Sequence, residues 1–363
     1  MKPNIVFTGG GTAGHVTPNL ALIEELQPEG WQIDYIGSKA SVEQGMIQAI
    51  HIPFYAISSG KLRRYFSWEN FIDPFKILLG IGQSYRLLRK LKTDLVFSKG
   101  GFVAFPVVFA AWLNRIPVIA HESDMTPGLA NRLSFPFVNK VCLTFAPATK
   151  HLKDTLPVEI TGTPIRKELL NGNRQAGLER CGFKSEKPCL LLMGGSQGAS
   201  NLNKALREAL ATLNQYYQVI HLCGKGKVDK TLTDNSEYVQ FEYANEELPD
   251  LFAAADLVVS RAGANSLYEL LALQKPHVLI PLSAKVSRGD QVQNARFFSK
   301  QGISRVIDDE ALTAESLIEA IMDVRQRQDE IVEKIKALAV LSATSRIVSI
   351  LKEQLHVESP KAV

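Results

Sequence analysis

The residues best suited to chemistry form a glycine-rich stretch near the amino terminus, Thr8-Gly9-Gly10-Gly11-Thr12-Ala13-Gly14-His15. Glycine lets the backbone turn sharply and approach a ligand without a Cβ in the way. A helix that begins just after such a turn points its free N–H groups and the positive end of its dipole at an anion. His15 closes the turn. Its ordinary pKa, about 6.5, suits a proton acceptor near neutrality, which makes it the candidate general base. The plainer reading is a packed or surface histidine.

A second loop, Gly194-Gly195-Ser196-Gln197-Gly198, follows five apolar residues and precedes a helical pattern from Asn201 to Leu213. Backbone N–H groups and the Ser196 hydroxyl would meet a phosphate there, unless the loop is only a tight structural turn. Two such loops imply a ligand, or two ligands, bridging a cleft. A third segment runs from Ser260-Arg261-Ala262-Gly263-Ala264 to Glu269 and joins a strand to a helix. Its carboxylate either complements the helix dipole or accepts both hydroxyls of a ribose. A fourth leads from Ile280-Pro281-Leu282 to Asp290-Gln291-Val292-Gln293-Asn294-Ala295 and carries amide side chains into a helix. His121-Glu122-Ser123-Asp124 gathers polar groups after the strand at Val118.

These loops need scaffolds, and short apolar runs alternate with helical patterns along nearly the whole chain. Ile5-Val6-Phe7 leads to a helix over Pro18–Leu26, with Thr17 as N-cap and Pro18 at the first position. Strands are expected at Ile33–Ile36, Leu95–Phe97, Val118–Ala120 and Val141–Leu143, and again at Cys189–Met193, Val219–Leu222, Leu257–Val259 and Val278–Ile280. Such alternation marks an α/β chain with parallel sheets. Both halves open alike, on a strand, a glycine turn and a helix. Turn chemistry at Gly162-Thr163-Pro164-Ile165-Arg166 interrupts the pattern. Two doubly wound domains facing across a cleft follow, with ligands outside the carboxyl ends of the strands.

Length supports the same division, since 363 residues exceed one typical domain. A hydrophobic share of 45% and a charged share of 21% are ordinary for a soluble globular protein. Cys142, Cys181, Cys189 and Cys223 show no zinc-ligand spacing and read as buried thiols in a reducing compartment. The amino terminus lacks the apolar core of a signal peptide, and Phe102–Leu113 is far short of a membrane span. A cytoplasmic protein is expected. The net charge of +4 is mild and points to no nucleic-acid partner.

Gly9, Gly11 and Gly14 match G-x-G-x-x-G. A dinucleotide reading also needs an acid closing the second strand, and Asp34 lies too early. No two aspartates are separated by a single residue, so no D-x-D metal clamp and no metal or cofactor is expected.

One stretch is aromatic with basic flanks. Lys61, Arg63 and Arg64 precede Tyr65, Phe66 and Trp68. A helical stripe of Phe71, Phe75, Leu78, Ile81, Tyr85 and Leu88 follows, with Arg86, Arg89, Lys90 and Lys92 near its end. Its later turns read as core-facing. Its earlier residues fit interfacial docking on an anionic membrane.

Taken in order and spacing, several segments resemble the MurG family of glycosyltransferases. They are Gly10-Gly11-Thr12-Ala13-Gly14-His15 with Pro18, His121-Glu122, Gly162-Thr163-Pro164-Ile165-Arg166, Met193-Gly194-Gly195-Ser196-Gln197-Gly198 and Arg261-Ala262-Gly263-Ala264. The resemblance implies the GT-B fold, two Rossmann-like domains, here at residues 1–162 and 163–345, with a helix over 346–363 crossing back to the first. It implies an inverting, metal-independent transfer of N-acetylglucosamine (GlcNAc) from UDP-GlcNAc to undecaprenyl-pyrophosphoryl-MurNAc-pentapeptide (lipid I), giving lipid II. Thr12, Ala13 and Gly14 would then sit at the donor–acceptor junction. Arg166 and Ser196 would hold the diphosphate, Glu269 the ribose, backbone near Tyr243 the uracil and Gln291 the sugar hydroxyls. His15 would be the base. Many members have Asn at the position of Asp124, and an ionised aspartate cannot donate a hydrogen bond. Location on the cytoplasmic face of the membrane and partners in the cell-wall and division machinery are further implications. The nearest alternatives are a diacylglycerol glycosyltransferase, an NAD oxidoreductase and a non-catalytic nucleotide sensor.

Overall fold

The computed structural model describes residues 2–60, 69–184, 187–195, 199–233, 235–285, 287–338, 340 and 343–357. Contacts divide the chain into two compact units. The first comprises Met1–Arg166 with the closing segment Ser342–Val363, and the second is Lys167–Leu341.

In the first unit strands and helices alternate as β1 (Asn4–Thr8), α1 (Thr17–Leu26), β2 (Gln32–Ser38), α2 (Val42–Ala49), β3 (Phe54–Ile57), α3 (Glu69–Lys90), β4 (Leu95–Ser98), α4 (Ala104–Leu113), β5 (Val118–Glu122), α5 (Leu129–Ser134), β6 (Lys140–Leu143) and β7 (Val158–Ile160). All seven strands are parallel, in the order β3-β2-β1-β4-β5-β6-β7. Because successive side chains alternate between faces, Ile5 and Phe7 of β1 join Phe97 and Ile119 in one core, while Val6 joins Val96 and Val118 in another. Central strands covered on both faces read as continuous apolar runs, as Ile5-Val6-Phe7 does.

The second unit repeats the plan with α6 (Arg174–Cys181), β8 (Cys189–Met193), α7 (Ser200–Leu213), β9 (Gln218–Leu222), β10 (Tyr238–Phe241), α8 (Leu248–Ala254), β11 (Leu257–Ser260), α9 (Ala264–Ala272), β12 (His277–Leu279), α10 (Asp290–Ser299), β13 (Arg305–Val306), α11 (Ala314–Gln326) and α12 (Gln328–Lys336). Its six parallel strands run β10-β9-β8-β11-β12-β13. Finally α13 (Ala343–Val357) returns to the first unit, where Ile347, Ile350 and Leu351 enter the core beside Leu22 and Leu26. Arg346 donates to Glu159 at 3.0 Å and Lys352 to Glu29 at 2.7 Å.

One local expectation fails. Thr17 does not cap α1. A short 3-10 turn over Ala13–His15 runs straight into the helix, Val16 is already helical at φ −103° and ψ −46°, and the Thr17 hydroxyl donates back to the Ala13 carbonyl at 3.0 Å. An N-cap needs an extended residue directly before the helix, and Val16 is helical there.

The stripe on α3 divides. Leu88 is fully buried, with Ile81 and Tyr85 packed beside it, whereas Phe75, Leu78 and Leu79 are 72%, 65% and 57% exposed. Phe66 and Trp68 lie outside the described residues, as does the side chain of Phe71. Among the described residues no helix is long and apolar enough to cross a membrane.

Candidate active site

Strand order locates the sites before any side chain is considered. Each sheet reverses its direction of winding once, between β1 and β4 in the first unit and between β8 and β11 in the second. Ligands of doubly wound folds bind at the carboxyl ends of the strands at that reversal. The four loops there are Gly9–Gly11, Lys99–Gly101, Gly194–Gly195 and Arg261–Gly263. Three of them stand out as motifs in the sequence; Lys99-Gly100-Gly101 does not, although the apolar run Leu95-Val96-Phe97 before two glycines carries the same signal.

The two loops of the first unit are joined. Gly10 donates its N–H to the Gly100 carbonyl at 3.3 Å. A Cβ on Gly101 would lie 2.1 Å from the Gly10 oxygen, and Gly101 has φ +85°, so no other residue fits that crossing. Buried Glu43 on α2 braces the turn, accepting N–H bonds from Gly11 and Ser38, each at 3.2 Å. Burial alone would raise its carboxyl, but the Ser38 hydroxyl and these N–H groups outweigh it and hold the group below its usual range. Nothing in local sequence marked Glu43. On this frame Thr12 and Gly14 are exposed, and Ala13 and His15 half-buried.

His15 differs from the other histidines at strand ends. His121, His221 and His277 have no exposed surface. Burial pushes His121 well down, His221 to about 3 and His277 to about 4. His121 donates from Nε2 to the Gly162 carbonyl at 2.8 Å, and His221 is held between Asn203 and Tyr238 at 3.0 and 2.7 Å. These three are neutral packing groups. His15 alone of the four reaches the loop surface.

Glu122, at the end of β5, is also structural. It accepts the N–H groups of Asp124 and Gly128 at 2.9 and 3.0 Å and the Asn131 amide at 2.9 Å. Asp124 is half-buried in the loop so formed.

In the second unit the loops open onto helices without side-chain caps. The residues preceding α7, α9 and α10 are Ala199, Gly263 and Gly289, and none supplies a capping acceptor. The same holds at α1 and α4. By contrast α2, α6 and α11 are capped by Ser41, Asn173 and Thr313. Helix starts whose first N–H groups lack a side-chain acceptor are the ones that can receive an anion.

The sequence-selected residues fall into place unevenly. Glu269 is 8% exposed and lies in the second turn of α9, beyond the position that best complements a helix dipole. Gln291 turns its Oε1 to the Leu282 N–H at 2.9 Å and so holds its own loop. Tyr243 follows edge strand β10 and is 47% exposed. Arg166 is half-buried at the end of the first unit's main segment. Ser196 lies outside the described residues. Arg261 is a brace, donating to the Ile280 carbonyl at 3.1 Å and to Asp309 at 2.6 Å, while buried Asn294 reaches the Ala262 carbonyl at 3.4 Å.

Two doubly wound parallel sheets, each with a glycine turn at its reversal point, have the plan of the GT-B glycosyltransferases. Residues 5–143 match the glycosyltransferase family 28 N-terminal domain and residues 189–353 its C-terminal domain. The chain belongs to glycosyltransferase family 28. It is 64% identical, over the full length of both chains, to the UDP-N-acetylglucosamine–N-acetylmuramyl-(pentapeptide) pyrophosphoryl-undecaprenol N-acetylglucosamine transferase of Legionella pneumophila strain Paris. The Clostridium kluyveri enzyme of the same name is 52% identical, over 96% of this chain and 99% of its own. A crystal structure of Acinetobacter baumannii MurG superposes with a TM-score of 0.76 at 26% identity, covering 97% of this chain and 99% of that one.

Proposed function

We propose that the chain is the GlcNAc transferase its relatives' names describe, carrying the sugar from UDP-GlcNAc to the 4-hydroxyl of MurNAc in undecaprenyl-pyrophosphoryl-MurNAc-pentapeptide. The observation that carries this is the 64% identity along all 363 residues to an enzyme so named.

In our reading the second unit, with Arg166 just before it in the chain, takes the donor. The N-terminal turns of α7 and α9 meet the diphosphate with Arg166 and Ser196, Glu269 accepts the ribose hydroxyls, backbone near Tyr243 meets the uracil, and Gln291 meets the sugar. The first unit takes the acceptor on the turn Thr12-Ala13-Gly14. His15 removes the proton from the acceptor 4-hydroxyl. That oxygen attacks the anomeric carbon on the face opposite UDP, the bond from carbon to the diphosphate oxygen breaks, and its electron pair leaves with UDP. Inversion yields a β-1,4 bond. Charge growing on the leaving diphosphate is stabilised by preorganised N–H groups and a guanidinium.

The acceptor's lipid tail stays in the bilayer, so the enzyme docks on the cytoplasmic membrane face. Exposed Phe75, Leu78 and Leu79, with Arg86, Arg89 and Lys90 further along α3, support this: apolar insertion is joined by attraction to anionic lipid. Incubation with UDP-[labelled GlcNAc] and a lipid I analogue, beside diacylglycerol as rival acceptor, tests the assignment. Label must appear in the lipid I product. Transfer to diacylglycerol alone would overturn it.

A further inference from the structure

Lys99 is a lysine where a lysine is costly. It follows β4 at the reversal point, and 1% of it is exposed. Surface lysines bury their stems and keep the ammonium in water, so an enclosed ammonium needs partners. Here Nζ donates to the Ser123 hydroxyl, with Glu122 and Asp124 close enough to act on its charge. The backbone of Lys99 donates to the Thr8 carbonyl at 2.9 Å, locking it to the end of β1. Gly9 sits directly against it. A Cβ there would come within 3.0 Å of the Lys99 Cβ and 2.9 Å of the His15 carbonyl. Lys99 therefore lies under the turn that carries His15, and its ammonium reaches the loop after β5.

We propose that Lys99 is a positioning residue for the acceptor side of the reaction: its buried ammonium ties the Glu122–Asp124 loop to the glycine turn bearing His15 and supplies the fixed positive charge beneath both. This rests on the assignment of the acceptor to the first unit.

Glu122 does not need the lysine, because Asp124, Gly128 and Asn131 already satisfy it. The ammonium is thus bound to the loop's geometry more than to one carboxylate. The titratable groups around it are His121 and Glu122 on β5, Asp124 beyond them, His15 across Gly9, and Glu43 from α2 at the neighbouring glycines. His121 stays neutral, driven down by burial and then by Lys99 itself. Burial lowers the ammonium to about 8 against the upward pull of Glu122 and Asp124, so it loses its proton just above neutrality. The tie weakens as pH rises through that value.

Steady-state kinetics of the full chain with UDP-GlcNAc and a lipid I analogue, from pH 6 to 10, test this. Lys99→Met should raise acceptor KM at least tenfold at neutral pH and leave donor KM within twofold. In the wild type, kcat/KM for the acceptor should fall above about pH 8. That alkaline limb should vanish in Lys99→Met and move to higher pH in Lys99→Arg, which keeps its charge. Should Lys99→Met not fold, Ser123→Ala removes only the ammonium's acceptor and should still raise acceptor KM and shift the limb. Unchanged acceptor KM and an unchanged limb in the folded variants would overturn the proposal. A rise in donor KM instead would overturn the acceptor assignment, and the proposal with it.

Discussion

Glu43 accepts the backbone N–H of Gly11 at 3.2 Å across 32 residues of chain. The same carboxylate takes the Ser38 N–H at 3.2 Å, so the end of β2 and the first glycine turn share one buried anchor. The turn that presents Thr12 to His15 is shaped as much by α2 as by its own glycines.

Glu43→Ala should therefore destabilise the chain by about 1–3 kcal/mol. Gly11 is exposed and rehydrates when the carboxylate is lost, which favours the lower end. The sign with pH follows from a carboxyl held below its ordinary 4.5 in the folded state. Its contribution is fully present above 4.5 and is lost as pH falls through the lower folded value. Urea unfolding at pH 7 and pH 4 should show a gap between wild type and variant that narrows in acid. Equal stabilities at pH 7 would refute the anchor.

His15→Ala should lower kcat by roughly 10²–10⁴ and leave UDP-GlcNAc affinity nearly intact, as expected for loss of a general base. The measurement is kcat beside donor binding by titration calorimetry. Normal kcat with lost donor binding would make His15 a binding residue.

Glu269 offers a test of the donor side that does not involve the chemical step. Replacing it with alanine should weaken UDP binding by about 1–3 kcal/mol if charged hydrogen bonds to the ribose are lost. Glu269 is 8% exposed, so a melting curve must accompany the binding data. A folded variant that binds UDP normally would end the ribose assignment.

Phe75, Leu78 and Leu79 are the described part of the α3 stripe that packing leaves exposed. Changing all three to serine should reduce co-sedimentation with anionic liposomes and lower activity on lipid I in vesicles. Thermal stability should be nearly unchanged, since little buried area is lost. Undiminished liposome binding would place the docking surface elsewhere.

Local sequence determined the glycine turns, the central strands and the helices behind them. Runs such as Cys189–Met193 are apolar throughout because both faces of a central strand are covered, and they stand out for that reason. Edge strands were harder to read: β3, β7, β10 and β13 have only two to four residues each and mixed burial. Composition and local order cannot decide which strands become neighbours. The order β3-β2-β1-β4 sets Lys99 beside Gly9 and packs the loop after β4 against the first glycine turn. Pairing also brings Glu43 to Gly11 and Lys99 to Ser123, contacts spanning 32 and 24 residues. On α3 the later turns are legible as core-facing from the sequence, and packing against α4 and β3 buries Leu88 there while leaving Phe75 exposed. The sequence carried the chemistry of each loop in its own residues. Which loops share a site was decided by parallel pairing, a non-local interaction whose partners the chain order does not reveal.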